Sequence, residues 1–389
     1  MLLDQHDITS PEFWARQDAH ALVDEIRREG TVQRHETPDD GPVWSVLAHR
    51  EALAVLGDPV AFSSQRGSLL GSGRRPPAGA GKMMALTDPP RHRAYRESVA
   101  PFFSTSGAAA LEQHVVRLTR RVLRELPEGE DIDFVHEIGA VVPLLVMCEL
   151  MGVPAEDRDD VVAMCDEAFL GDTALRRQKA HQKLLPYLFS LVTRKRREPG
   201  RDVASALAGD LDVEEAVLNC DNIIVGGVQT VRHTAAMAML ALTQHPDAWQ
   251  TLRAGADMGV AVEELLRWTS VGLQVLRSAT RDVELAGCHI RAGDAVVVWT
   301  PAANRDPAVF QRPHHLDLRR SPNRHVAFGW GAHYCIGAPL ARIELRALFT
   351  ALATTLESVE VVRSPVHNRS IINFGLDRFT VRLRRKVRG

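Results

Sequence analysis

The segment that decides the fold reads Phe328-Gly329-Trp330-Gly331-Ala332-His333-Tyr334-Cys335-Ile336-Gly337. Three glycines within nine residues, beside one cysteine, predict a backbone that turns tightly or lies close to a flat group, because glycine adopts conformations that other residues avoid. A helix is expected directly afterwards, since Pro339 suits a first helical turn and apolar residues recur over residues 340–348. A thiolate beside a helix N-terminus gains from the helix dipole and from free backbone N–H groups. Cys335 is therefore a candidate metal ligand, and a buried structural cysteine is the alternative.

The composition is that of a globular chain long enough to enclose a cofactor. Of its 389 residues, 45% are hydrophobic and 25% are charged, and a chain of this length can bury a large core. Its 49 acidic and 47 basic residues nearly cancel, so nothing indicates a nucleic-acid partner. The five cysteines are scattered and are never spaced as Cys-x-x-Cys, which argues against disulfides and against a zinc site.

Neither the N-terminus nor any internal run indicates a membrane segment. Residues 1–10 carry Asp4, His6 and Asp7 and no apolar run, unlike a signal peptide or an anchor. No stretch approaches the ~18 uninterrupted apolar residues of a membrane-spanning helix. The basic tail, residues 384–386, is interpreted as solvated. We expect a cytoplasmic monomer that forms one domain over residues 1–389, with residues 1–15 as its least firmly ordered part.

The hydrophobic periodicity predicts a mainly helical fold with a minor β region. Apolar residues recur at three- and four-residue spacing over residues 111–126, 142–151 and 183–192, as they do on one face of an α-helix. Strand patterns cover residues 43–47, ahead of a helix from His49, and residues 283–299, where turn residues divide a small three-stranded meander. Residues 63–81, rich in Gly, Ser and Pro, form a loop long enough to be functional.

A long helix that contains two glycines is predicted in the middle of the chain. Asp212 and Glu215 give a capping-box-like start, and the helix is expected to reach about residue 244, ahead of a proline. Gly226 and Gly227 lie near its middle. Each glycine inside a helix costs roughly 1 kcal/mol relative to alanine, so some feature must require an open backbone there.

The cysteine segment resembles the haem-binding loop of the cytochrome P450 superfamily, soluble bacterial type. Every signature position of that loop is filled, by Phe328, Gly329, His333, Cys335 and Gly337. The resemblance implies a cytochrome P450 fold in which haem b lies between a long distal helix and a proximal cysteine loop. It also implies that Cys335 is the thiolate ligand of the iron, that Phe328 shields the sulfur, and that His333 reaches a haem propionate.

A Glu-x-x-Arg element precedes the cysteine loop by about 70 residues, as the superfamily requires. Glu264 and Arg267 are three residues apart, so they share a helix face and can form an ion pair. The resemblance implies that this pair binds a later arginine, for which Arg320 is the best match. These three residues are expected to hold the cysteine loop in place.

Three basic residues match the haem-propionate ligands of the superfamily. His92 and Arg96 stand one helical turn apart, and a cationic pair at that spacing suits two neighbouring carboxylates. Without the resemblance, a solvated basic stripe would be the simpler interpretation. Arg277 matches the third propionate ligand.

The predicted distal helix departs from the superfamily pattern at one position. The usual Gly-x-(Asp or Glu)-Thr forms the groove where dioxygen binds; here Gly226, Gly227 and Thr230 are retained, but Gln229 replaces the acid. An amide donates and accepts hydrogen bonds but does not titrate near neutral pH. Three explanations stay open: protons arrive through water and Thr230, Gln229 contacts the substrate, or the reaction needs less proton delivery than hydroxylation does. We favour the first two.

The resemblance implies a monooxygenase that hydroxylates or epoxidises a medium-sized, largely apolar organic substrate in natural-product biosynthesis. That substrate is a small molecule, either free or bound to a carrier protein. No flavin or iron–sulfur segment is fused to the chain, so the expected electron donors are a separate ferredoxin and ferredoxin reductase, which dock near Arg342 and Arg346. The candidate pocket residues are Met84, Val228, Val271, Leu273 and Ile372.

Two alternative functions remain open on the sequence. The first is a non-standard haem reaction on the same fold, such as oxidative coupling, a peroxygenase reaction or a rearrangement, and Gln229 keeps it open. The second is a non-catalytic scaffold that recruits a partner enzyme. Such scaffolds typically lose the cysteine, whereas Cys335 and the candidate propionate ligands are present. A need for both dioxygen and an electron donor tests the first alternative, and haem binding tests the second.

Overall fold

The chain folds into helices and four small sheets over the residues that the structure describes. The structure is a computed structural model, and it describes residues 2–38, 40–71, 77, 79–170 and 174–386. The helices are α1 Pro11–Trp14, α2 Ala19–Glu29, α3 His49–Gly57, α4 Arg91–Phe103, α5 Thr105–Glu125, α6 Val141–Met151, α7 Arg158–Leu170, α8 Ala174–Arg197, α9 Val203–Asp210, α10 Val213–Gln244, α11 Pro246–Arg253, α12 Met258–Thr269, α13 Thr300–Ala303 and α14 Ala338–Thr355. The strands are β1 Val32–Thr37, β2 Gly41–Val46, β3 Phe62–Ser63, β4 Asp131–Asp133, β5 Gln274–Ala279, β6 Val283–Leu285, β7 Cys288–Ile290, β8 Ala295–Trp299, β9 Leu356–Val361, β10 Val366–His367, β11 Leu376–Arg378 and β12 Thr380–Arg385. The predicted mainly α fold with a minor β region is confirmed.

The helices predicted from periodicity lie where the sequence indicated. The three amphipathic stretches fall in α5, α6 and α8, the helix from His49 is α3, and the long central helix is α10. The side chain of Asp212 accepts a hydrogen bond from the backbone N–H of Glu215 (2.8 Å), so α10 begins at the predicted cap. Within the predicted loop 63–81, residues 72–76 and 78 lie outside the described residues.

The described residues group into two compact units. Unit 1 is drawn from Met1–Arg93, Glu263–Cys335 and Arg369–Phe374, and unit 2 from Ala94–Val262, Ile336–Asn368 and Gly375–Gly389. Unit 1 contains the five-stranded sheet, ordered β1-β2-β8-β5-β3, and the β6-β7 hairpin. Unit 2 contains the three-stranded sheet β4-β12-β9, the β10-β11 pair, and most of the long helices.

The predicted meander over residues 283–299 is wrong for its third strand. The first two strands pair only with each other, as the β6-β7 hairpin. The third, β8, instead pairs parallel with β2 and antiparallel with β5 in the five-stranded sheet. Four of its five residues are buried, and a strand buried in this way is stabilised in the interior of a sheet rather than at the edge of a hairpin. Val296 and Val298 belong to the hydrophobic core of unit 1.

The core of unit 2 forms around α10, which packs against α6 and α8, while α14 packs against α5. Gly227 allows this close packing, because a Cβ there would lie 2.6 Å from Sδ of Met147 on α6 and that side chain would have to move. The run Phe134–Met151 is apolar and long enough to pass a compositional test for a membrane span, yet 72% of it is buried inside the structure. Buried core helices of soluble proteins pass the same test.

The interpretation of the basic tail as simply solvated is wrong for two of its three residues. Arg385 donates hydrogen bonds to the carbonyl oxygens of Leu123 and Leu126 (both 2.9 Å). Lys386 donates one to the carbonyl oxygen of Ala353 (2.9 Å). The last carbonyls of a helix lack partners within the helix, and the two cations satisfy them at the C-terminal ends of α5 and α14.

Candidate active site

The cysteine loop lies in a tightly hydrogen-bonded turn of unit 1. The backbone N–H of Cys335 donates to the carbonyl oxygen of Phe328 (2.9 Å). Gly329 and Gly331 have φ angles of +71° and +72°, and a Cβ at Gly331 would overlap the carbonyl oxygen of Leu56. Only glycine fits both requirements. These glycines therefore restrict the loop to a single backbone conformation. In that conformation the Cys335 side chain is exposed, whereas three of the other cysteines are buried.

A saturated carboxylate anchors the polypeptide ahead of this loop. Glu264 and Arg267 are 0% exposed, and two guanidinium nitrogens of Arg267 donate to the two carboxylate oxygens (2.7 and 2.8 Å). Nε of Arg320 donates to Oε2 of the same carboxylate (2.9 Å). The side chain of Asn323 and the backbone N–H of Asp317 complete the set (both 3.0 Å). The structure thus brings the three residues of the predicted Glu-x-x-Arg cluster into contact.

Asn304, which sequence reasoning missed, connects this cluster to the cysteine loop. Arg267 donates to the carbonyl oxygen of Asn304 (2.9 Å), and the Asn304 side chain accepts from the backbone N–H of Val326 (2.7 Å). The carbonyl oxygen of Val326 then accepts from the N–H of Gly329 (2.9 Å). A buried asparagine is recognisable as a link only once both of its partners are known.

The rings of two predicted haem-binding histidines lie next to each other in unit 1. The rings of His92 and His333 lie 4.0 Å apart at an angle of 34°. Oγ of Ser64 lies 3.2 Å from Nε2 of His333, and the backbone N–H of Ser64 donates to Asp88 (2.9 Å). Sequence reasoning missed Ser64 and Asp88, because their roles depend on a contact between distant segments. Arg96 lies one turn after His92 on α4.

Arg277 is a buried cation without a matching anion among the described residues. It lies on β5, is 4% exposed, and donates from Nη1 to the carbonyl oxygen of Leu276 (2.8 Å). No described carboxylate forms an ion pair with it. Burial lowers the pKa of the guanidinium to about 10, although the charge of Asp88 acts in the opposite direction. A buried cation in this state is stabilised by an anionic ligand.

The glycine pair of α10 in unit 2 has two different environments. Gly227 faces Met147, whereas a Cβ at Gly226 would meet nothing within 4 Å. The hydroxyl of Thr230 donates to the carbonyl oxygen of Gly226 (2.8 Å). Gly226 and Thr230 therefore lie at the open side of the helix, where the backbone can be approached closely.

Gln229 is buried between these residues and its amide is unsatisfied. The residue is 1% exposed, and neither Oε1 nor Nε2 has a hydrogen-bond partner. His233, on the next turn, is also buried, and burial together with the charge of Arg232 lowers the pKa of its imidazole to about 3. His233 is consequently neutral near pH 7 and lies beside Asn368 and Gly375.

The residues predicted for the substrate pocket occupy both units. In unit 1, the carbonyl oxygen of Val271 accepts from the N–H of Phe374 (2.8 Å), and Gly272 bridges to Asn373. This pairing brings Val271 and Leu273 alongside the segment that contains Ile372. Met84 lies in a short 3-10 helix of the same unit and is buried, and Val228 is buried on α10 of unit 2.

Known proteins share this sequence and this fold along nearly the whole chain. The family model for cytochrome P450 matches residues 258–372. The chain is 36% identical to a putative cytochrome P450 126 of Mycobacterium tuberculosis over 97% of either protein. It is 31% identical to cytochrome P450 NovI of Streptomyces niveus, covering 98% of this chain and 97% of the relative. The solved structure of P450 OxyD, a protein involved in the biosynthesis of vancomycin-type antibiotics, matches with a TM-score of 0.92 at 37% identity, covering 98% of this chain and all of that one.

The family assignment fits both the geometry and these relatives. Relatives that are 31–36% identical along nearly the whole chain show the family, and a solved structure shows the same fold. The chain belongs to the cytochrome P450 superfamily and is a monooxygenase whose cofactor is haem b.

Proposed function

We propose that Cys335 is the thiolate ligand of the haem iron, and its exposure on a fixed loop is the observation that carries this assignment. When bound, haem would supply dioxygen activation, and a thiolate ligand from Cys335 would favour cleavage of the O–O bond. Phe328 shields the sulfur in this proposal. Gly329 and Gly337 let the backbone approach, and N–H groups at the start of α14 temper the negative charge on the sulfur.

His92, Arg96, Arg277 and His333 bind the two haem propionates in this proposal. The uncompensated charge of Arg277 supports the fit, because two carboxylates would supply the anion that no described side chain provides. The adjacent, tilted rings of His92 and His333 and the nearby Ser64 add hydrogen-bonding groups at the same place. Glu264, Arg267 and Arg320 are structural, since their network leads through Asn304 to the start of the cysteine loop.

Gly226 and Thr230 form the oxygen-binding side of α10 in this proposal. Gly226 leaves room for a diatomic ligand, and the Thr230 hydroxyl can exchange its bond to Gly226 for one to that ligand. Gly227 is included for the close packing that keeps this turn straight. Gln229 can orient a water or contact the substrate, but it cannot donate a proton as an acid does.

The substrate in this proposal is a medium-sized, largely apolar organic molecule that the enzyme hydroxylates or epoxidises in natural-product biosynthesis. The apolar character of Met84, Val228, Val271, Leu273 and Ile372 supports this class. The biosynthetic role of OxyD, a similar protein over 98% of this chain, supports the setting. The substrate is taken up either free or bound to a carrier protein.

Electrons are supplied by a ferredoxin and its reductase in this proposal. Arg342 and Arg346 on α14, which follows Cys335, supply positive charge for an acidic donor. Arg346 lies 3.5 Å from Glu112 in a half-exposed pair, and this pair is weak enough for a partner's carboxylate to replace it. We further propose a cytoplasmic monomer in which residues 1–389 act as one domain.

The spectrum of the reduced protein under carbon monoxide tests this function. The purified chain should give the red-shifted Soret band of a thiolate-ligated ferrous haem, and Cys335→Ala should abolish it. Cys288→Ala is the matched control, because that half-buried thiol donates to the Val32 carbonyl oxygen and is not a proposed ligand. If the band persists in Cys335→Ala, or if the native chain binds no haem, the assignment fails.

A second candidate function is a haem reaction with little need for proton delivery, such as oxidative coupling, peroxygenation or rearrangement. The unsatisfied, non-titrating amide of Gln229 favours it. Under this alternative, turnover would proceed with hydrogen peroxide, or without an external reductant. A strict requirement for both dioxygen and a reductant would exclude it.

A further inference from the structure

A large cationic cleft lies in unit 2, outside the residues assigned above. Its volume of about 820 Å³ falls within the ~300–1,000 Å³ that is usual for small-molecule sites. The C-terminal half of α5, the C-terminal end of α14, the first residue of β9 and the end of the chain form its wall. Among the described residues, no aspartate or glutamate lines it. The arginines and the lysine of the wall are Arg117, Arg120, Arg121, Arg124, Arg385 and Lys386.

The positive charge of this cleft is a local separation of charge. The chain as a whole carries 49 acidic and 47 basic residues, whereas the wall carries cations alone. The four arginines of α5 are solvent-exposed, and none of them has a hydrogen-bond or ion-pair partner among the described residues. Glu149 is the carboxylate that contacts the described part of the wall, 2.7 Å from Nε2 of His114. The arginines are therefore available to an anion from outside the chain.

The spacing of the four arginines places them on one face of α5. Arg120, Arg121 and Arg124 follow Arg117 by three, four and seven positions, and side chains at these spacings are neighbours on a helix. Like charges at three- and four-residue spacing repel and destabilise the helix. An anion with several negative charges, bound along this face, would remove that repulsion.

The C-terminal ends of α5 and α14 account for only part of the positive charge. Each helix C-terminus is equivalent to about half a negative charge, so the two ends together offset roughly one of the six cations. Arg385 and Lys386 already bind the last carbonyl groups of these helices. Most of the charge on the α5 arginines therefore remains uncompensated.

The chemistry of the wall matches linked phosphate groups. A guanidinium is planar and always charged, and it binds phosphate oxygens through two parallel N–H donors. A row of arginines suits a chain of phosphates, which carries several such groups in succession, better than it suits a single anion. Apolar side chains lie beside these cations and can contact an apolar part of the same ligand: Leu118, Leu123, Leu356 and Leu383.

We propose that this cleft binds a small molecule with an oligophosphate group, its phosphates on the arginines of α5 and its apolar part against the leucines. Nucleotides and inorganic oligophosphates share this chemistry. The cleft meets α14 at Ala351–Thr355, 13 to 17 residues after the first residue of that helix, Ala338. At 1.5 Å per residue this is about 20–25 Å along the axis, so the site is separate from the start of α14 that follows Cys335.

Isothermal titration calorimetry of the haem-loaded protein tests the site with adenosine triphosphate and with inorganic tripolyphosphate, both without divalent cations. We expect saturable binding that weakens as potassium chloride is added, because mobile ions screen the charges. Tighter binding of adenosine triphosphate would identify a nucleotide site, and equal binding would identify the phosphate chain as the recognised part. If neither probe binds, the proposal is overturned. Binding of a plant-type ferredoxin in their place would make the wall a protein-docking surface.

A pair of double variants locates the binding. Arg121→Gln/Arg124→Gln should weaken the binding of the better probe about tenfold or more, since it removes two charged donors. Arg28→Gln/Arg34→Gln is the matched control, because it removes two exposed arginines that lie outside the cleft wall, and it should leave the affinity unchanged. Equal weakening in both would indicate a general attraction to positive charge and overturn the site. The carbon monoxide band of each variant reports Cys335 ligation separately.

Discussion

Two buried glutamates, Glu264 in unit 1 and Glu344 in unit 2, differ in whether their carboxyl groups have hydrogen-bond partners. Glu264 accepts five hydrogen bonds, from Arg267 twice, Arg320, Asn323 and the Asp317 backbone. Glu344 has an unpartnered oxygen and no charged neighbour, and burial raises its pKa to about 8. The first is held as part of a rigid anchor, whereas the second keeps a proton that it can exchange. The burial of an ionisable side chain therefore indicates its role only when its hydrogen-bond and ion-pair partners are also known.

The largest effect is expected from breaking the saturated carboxylate. Glu264→Gln leaves the buried guanidiniums of Arg267 and Arg320 without a counterion, so we expect the free energy of unfolding to fall by roughly 3–5 kcal/mol. Urea unfolding, followed through the haem absorbance, measures the loss. Glu284→Gln is the control, because Glu284 forms an exposed pair with His289 and should change stability by less than about 1 kcal/mol. Equal effects in the two variants would show that the Glu264 network is not an anchor.

Replacing Glu344 is expected to change the free energy of unfolding by less, and by an amount that depends on pH. Because burial raises its pKa, Glu344 binds more protons in the folded than in the unfolded state between pH 4.5 and about 8. Its contribution to stability is therefore full below pH 4.5 and declines as the pH rises through that window. We expect Glu344→Gln, compared with the native chain, to be the more stable protein at pH 8, by an amount on the order of 2–3 kcal/mol.

Urea unfolding at pH 5 and at pH 8 measures this difference between Glu344→Gln and the native chain. The control, Glu357→Gln, removes an exposed carboxylate and should show the same pH profile as the native chain. An unchanged profile in Glu344→Gln would mean that the Glu344 carboxyl titrates normally, and the contrast with Glu264 would disappear.

The smallest change in stability is expected on replacing Gln229. Its buried amide, like the carboxyl of Glu344, lacks a hydrogen-bond partner. Gln229→Leu replaces an unpaired buried amide with an apolar side chain, so we expect stability to change by no more than about 1 kcal/mol. Gln33→Leu is the matched control, because the Gln33 amide donates to the carbonyl oxygens of Ile26 and Gly30 (2.6 and 2.7 Å). That variant should lose about 1–3 kcal/mol. Thermal unfolding of both variants measures the difference, and similar losses would mean that Gln229 has a partner after all.

The sequence predicted those parts of the molecule that depend on local geometry. The cap at Asp212, the length of α10 and the tight turns of the cysteine loop all follow from residues close to one another in the chain. The strand β8 was predicted as a strand but assigned to the wrong sheet, because pairing with β2 joins residues about 250 positions apart. Hydrophobic periodicity predicts whether a segment is a helix or a strand, but only tertiary packing determines which strands it pairs with.

The burial of Glu344 was not detectable from sequence, because a glutamate on a helix is ordinarily a solvated residue. Its burial depends on α6, α10 and α14 meeting around one small cavity. Asn304, Ser64 and Asp88 were missed for the same reason, since each acts through a contact with a distant segment.

The sequence by itself determined the family, the cofactor and the candidate ligand Cys335, because the spacing of a short loop and its helix is a local constraint that one segment can satisfy alone. The tertiary structure decided which buried polar groups are satisfied and which are not. It distinguishes the saturated Glu264 from the solitary Glu344, and the amide nitrogen of Gln33, which is hydrogen-bonded, from that of Gln229, which is not. The physical reason is that desolvation and hydrogen bonding act over a few ångströms in space, whatever the separation along the chain.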